Sequence, residues 1–120
     1  MNPVASCLAG AIAFALAAAA LLGCGQSEAD QAEDAAVSYL DAIGETDYEE
    51  ACDFAVERAY PACDRIVQRL GDRYSFNFPE ATENDIEEDA GQVEVEADGD
   101  TYTLDMQRVD GAWKVSDLQP

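Results

Sequence analysis

The chain reads as an α+β protein, with helices first and an antiparallel sheet after them. Three observations carry that reading. Between Asp30 and Gly71, apolar residues recur at three- and four-residue spacing, the period of an amphipathic helix. Beyond Gln92 the period changes to two, as in strands with one buried face. Asp-Gly pairs at Asp98-Gly99 and Asp110-Gly111 punctuate this second half where hairpin turns belong. A run of helices followed by a run of strands is the α+β order.

The first helix is predicted to open at Asp30-Gln31-Ala32-Glu33, an acceptor side chain followed three residues on by Glu, as in a capping box. Ala32, Ala36, Tyr39, Leu40 and Ile43 share one face of it, and Gly44 ends it. Thr46-Asp47-Tyr48-Glu49 repeats the capping pattern and opens a second helix through Ala51, Cys52, Ala55 and Val56. Tyr60-Pro61 interrupts the pattern, with the proline where a first helical turn tolerates it. The third helix is expected to bury Cys63, Ile66, Val67 and Leu70, to turn Arg65, Arg69 and Arg73 to solvent, and to stop at Gly71.

Tyr74–Phe78 alternates briefly before Pro79. Glu80–Gly91 is the most charged and least periodic stretch and reads as an exposed connection, with Ile86 either one more strand or a loop contact. Three half-buried strands follow. Val93, Val95 and Ala97 alternate with Gln92, Glu94 and Glu96; Tyr102, Leu104 and Met106 alternate with Thr101, Thr103 and Asp105; Trp113 and Val115 alternate with Lys114 and Ser116.

This order, with Ala35–Leu40 and Asp47–Cys52 in the helices and a terminal hairpin Tyr102-Thr103-Leu104 … Val109-Asp110-Gly111-Ala112-Trp113-Lys114-Val115, resembles the nuclear transport factor 2-like superfamily. Within it, the likeness is to the lumazine-binding-like group found in bacterial lipoproteins, and it spans roughly residues 31–118. The resemblance implies a cone-shaped domain whose helices pack on the concave side of a curved sheet, with a pocket at the wide end. The candidate pocket residues are Tyr39, Phe54, Ile66, Tyr102 and Trp113. The competing reading makes the tyrosines and Trp113 ordinary core residues.

Every residue from Met1 to Gly25 is uncharged, and the Ala-rich core from Leu8 onward has the length of a secretory signal rather than a spanning helix. It closes on Leu21-Leu22-Gly23-Cys24 and passes at once into an acidic tract, which resembles a bacterial lipobox. That resemblance implies a signal helix over residues 1–23, cleavage before Cys24, acylation of its sulfur, a lipidated tether over 24–30 and a single domain over 31–120. Two or more acyl chains make a stable anchor where one does not. The implied location is the extracytoplasmic face of the cell membrane; an uncleaved anchor and a released secreted form are the alternatives. Outside the cytoplasm, Cys52 and Cys63 form an even pair in an oxidising setting and are expected to be disulfide-bonded.

All 26 acidic and all 6 basic residues lie beyond the leader, so the whole net charge of −20 falls on the exported part. Such a chain does not bind nucleic acid by neutralising phosphates, and its surface is repelled by anionic lipid. The absence of histidine excludes Ser-His and Cys-His nucleophilic sets and leaves the two cysteines short of a zinc site. Asp85, Glu87, Asp89 and Glu96 have partial calcium-loop spacing, but the glycine comes one place late and a strand, not a helix, follows. Weak cation binding by Glu87, Glu88, Asp89, Asp98 and Asp100 needs no such motif. No catalytic residue, metal or cofactor is expected. The expected role is a membrane-anchored binding or accessory module engaging an envelope protein or a small hydrophobic ligand. Its rivals are a small pocket enzyme of isomerase or hydratase type and an inert acidic surface protein.

Overall fold

A computed structural model describes residues 27–56 and 62–120. The leader, Cys24 and the Tyr60-Pro61 break lie outside the described residues. Helix α1 spans Glu28–Gly44, α2 Tyr48–Asp53 and α3 Ala62–Arg73. Four strands follow: β1 Glu80–Glu87, β2 Ala90–Ala97, β3 Asp100–Val109 and β4 Ala112–Gln119. They form one antiparallel sheet in the order β1-β2-β3-β4, and among the described residues no helix is long and apolar enough to cross a membrane.

Helix α1 lies across the inner face of the sheet and touches all four strands. Its buried stripe is mostly alanine (Ala32, Ala35, Ala36, Ala42), which lets helix and sheet approach closely, with Tyr39, Leu40 and Ile43 filling the wider part. The strands answer with Val93, Val95, Ala97, Tyr102, Leu104, Met106, Trp113 and Val115, all buried. The outer face carries Gln92, Glu94, Glu96, Thr101 and Thr103, the solvated side of an antiparallel sheet. Asp98 and Gly99, and likewise Asp110 and Gly111, both have positive φ, as a type I′ hairpin requires.

Several element limits differ from the sequence expectation. Ser27, not Asp30, caps α1, accepting from the Asp30 N–H at 3.1 Å, so Glu28–Asp30 are helical rather than tether. Asp47, not Thr46, caps α2. That helix stops at Asp53, because the chain then turns to hydrogen-bond the β4 edge: Val115 N–H donates to the Phe54 carbonyl (2.7 Å) and Val56 N–H to the Val115 carbonyl (2.9 Å). This short bridge covers an edge that would otherwise expose unpaired backbone groups. Helix α3 runs through Gly71 to Arg73, and Ile66, expected inside, is 46% exposed.

The largest correction concerns Glu80–Gly91, which is strand β1 and its turn rather than a loose connection. Ala81 pairs with Val95, Asn84 with Val93 and Ile86 with Gly91, so these three share the inner face. The register shifts between Ala81 and Glu83, making Thr82 an extra residue that inverts the alternation. Asn84 spends its inward position on a hydrogen bond to Glu33 of α1 (2.6 Å). A bulge, a polar inner residue and an acidic outer face together erase the period-two signal.

Candidate functional site

A groove lies between α3 and the second half of β4. Helix α3 packs on α1 and α2, yet none of its Cα atoms lies within 8 Å of one in β4. The gap holds a cavity of about 220 Å³ walled by Tyr39, Ala55, Cys63, Ile66, Leu70, Val115, Asp117 and Leu118. A neighbouring recess of about 250 Å³ has Ile66, Leu70 and Leu118 as walls in common with it and adds Arg69, Arg73, Tyr74 and Pro120, so the two recesses adjoin along α3. Leu118 joins this wall through a second bulge: Asp105 pairs with Asp117 and Met106 with Val115, leaving Ser116 extra and returning Leu118 to the inner face.

The groove is rigid on one side. Cys52 and Cys63 are disulfide-bonded with Cα atoms 5.9 Å apart, tying α2 to α3 and fixing the Cys63 part of the wall. Tyr39 is almost fully buried, and burial, followed by the nearby Asp117 carboxylate, pushes its phenol up to about 12. The hydroxyl therefore stays protonated and can donate into the groove at any physiological pH. Asp117 itself is exposed, and among the described residues no charged side chain is buried. An isomerase-type site buries its carboxyl beside the donor, whereas Asp117, which lines this cavity together with Tyr39, is exposed.

Of the five candidate pocket residues, Tyr39 and Ile66 meet in this groove. Phe54 and Trp113 line a separate open depression with Gln31, Asp34, Gly111 and Lys114. There the Trp113 indole N–H donates to Glu28 (2.8 Å), and Glu28 also pairs with Arg108 (3.0 Å), which in turn bonds Asp89 (2.9 Å). That network fastens the start of α1 to one end of the sheet. Tyr102 belongs to an aromatic cluster at the other end, edge-on to Phe76 (5.0 Å) and Tyr74 (5.7 Å).

The loop that delivers Phe76 is held by Asp98, whose carboxylate accepts from the Ser75 hydroxyl and from the Asn77 N–H (3.1 Å). These bonds, the Ser75 one foremost, hold Asp98 below its ordinary value. The acidic residues weighed as weak cation ligands are dispersed, and among the described residues no group of three or more His, Cys, Asp or Glu side chains converges on one point.

Sequence reasoning missed Leu70, Arg69, Arg73 and Leu118 as groove residues. The i, i+4 spacing of Arg69 and Arg73 beside Leu70, and the three-residue step from Val115 to Leu118, are the signals that mark them. No protein-family model matches the chain, and no curated protein matches it by sequence.

Proposed function

We propose that this chain is a lipid-anchored, extracytoplasmic binding module of the nuclear transport factor 2-like type, close to the lumazine-binding-like group, that acts without catalysis. The groove between α3 and β4 is its ligand site, and the observation that carries this reading is that groove: a trough whose walls join the aliphatic Ile66, Leu70 and Leu118 with Tyr39 and the exposed Asp117, with no buried carboxyl group among the described residues. Anchoring rests on Leu21-Leu22-Gly23-Cys24. Three residue steps separate Cys24 from the cap Ser27, a reach of at most about 10 Å. The sheet end bearing Trp113 and Arg108 therefore sits against the bilayer. Leu118 lies five residues further along β4, about 16 Å away, so the groove opens away from the membrane.

The test is intact mass and fractionation of the full chain made in a bacterium. Acylated Cys24 at the N-terminus, membrane recovery, and loss of membrane recovery in Cys24→Ser are the expected results. Material that keeps Met1, or that carries an unmodified Cys24, overturns the anchored reading.

A further inference from the structure

From the charge of the groove we infer the class of its ligand: a free, single-tailed amphiphile with an anionic head. This deepens the binding-module reading and depends on it for the orientation only. The chain holds 6 basic residues against 26 acidic ones. Of the basic ones, Arg108 is committed to Glu28 and Asp89, and Lys114 to the Asp53 carbonyl. Arg69 and Arg73 form no ion pair among the described residues, although acidic groups outnumber them throughout. Both line the outer part of the groove, one turn apart on α3, and Arg73 rests over the Tyr74 ring (5.9 Å).

Two guanidinium groups without ion pairs among the described residues, beside the aliphatic wall of Leu70, Leu118 and Ile66, are complementary to a phosphate or carboxylate head whose tail lies along that wall. Guanidinium forks donate to such oxygens two at a time. Ile66 is 46% exposed on this face, and an alkyl tail removes that surface from water. Asp117 bounds the inner cavity and repels a second negative charge, so the head sits at the arginine end and only the tail enters. Because the groove faces away from the bilayer, the ligand is a dispersed amphiphile rather than a membrane lipid in place.

The test is photo-crosslinking of the full chain in neutral phosphatidylcholine nanodiscs with diazirine-bearing decyl phosphate, followed by peptide mapping. Expected are adducts on Ile66–Leu70 and on Leu118, competed by decyl phosphate and not by inorganic phosphate. Decanol carrying the same diazirine should label at least tenfold less. Arg69→Gln/Arg73→Gln should lose at least tenfold in labelling with its melting temperature unchanged, and Leu118→Trp, which fills the trough, should lose it as well. Equal labelling by the alcohol, adducts elsewhere, indifference to the arginine pair, or suppression on adding phosphatidylglycerol to the disc would each overturn the inference. A chain with unmodified Cys24 that still labels in the groove would refute the anchoring alone and leave the ligand class standing.

Discussion

Removing the Cys52–Cys63 bond, as Cys52→Ala/Cys63→Ala, should cost this domain a large share of its stability. The bridge closes a loop with a sequence separation of 11. The chain-entropy argument assigns a loop of that size about 2.8 kcal/mol at 25 °C. Both cysteines are buried, so truncation also removes packing from the core and adds to that loss. Whole domains of this size are stable by about 5–10 kcal/mol, and each kcal/mol shifts the midpoint by roughly 4–8 °C. A fall of roughly 10–20 °C is therefore expected. In urea the m-value should rise, because the unfolded chain is no longer cross-linked and exposes more surface. Hydrogen exchange should localise the loosening to α3, whose close backbone neighbours among the described elements are α1 and α2. A loss below about 1 kcal/mol with an unchanged m-value would show that α3 is held by packing alone.

Tyr39→Phe tests the buried phenol by pH. A folded value near 12 against 10 in the unfolded chain stabilises the protein fully below pH 10, and that contribution disappears as pH rises toward 12, worth up to about 3 kcal/mol. Urea titrations above pH 10 should show that decline in the parent and a shallower one in the variant. Asp98→Asn should cost stability at neutral pH, with the gap to the parent closing as pH falls below the ordinary carboxylate value of 3.8, since a lowered value contributes only while the group is ionised; thermal melts across pH 2–6 follow it. Glu28→Ala leaves the Trp113 indole N–H without its acceptor and should cost about 1–2 kcal/mol in urea, whereas Glu28→Gln keeps an acceptor and should cost less. At Gly91 a Cβ would lie 2.7 Å from the Ile86 Cα, so Gly91→Ala should destabilise by about 1–3 kcal/mol and loosen β1 in hydrogen exchange.

How much of this molecule was legible beforehand follows from the range of the forces involved. Helix α1, the three strands β2 to β4 and both Asp-Gly turns are written locally: a buried face repeats at the period of its element, and a left-handed pair of φ angles selects residues that tolerate it. The Cys52–Cys63 pairing was legible too, since these are the two cysteines that the sequence holds beyond residue 24, and two leave one way to combine. Strand β1 was not, because the extra Thr82 inverts its alternation and a polar, exposed Asn84, bonded to Glu33 of α1, takes the register place opposite Val93. Nor was the groove. Tyr39, Phe54, Ile66, Tyr102 and Trp113 are alike in chemistry but dispersed by strand direction, by the bulge at Ser116 and by the docking of Phe54–Val56 on the β4 edge. Periodicity reports which face a residue occupies. Which side chains share a cavity depends on where separate elements stop short of touching, as α3 does before β4, and that distance arises only when the whole chain packs.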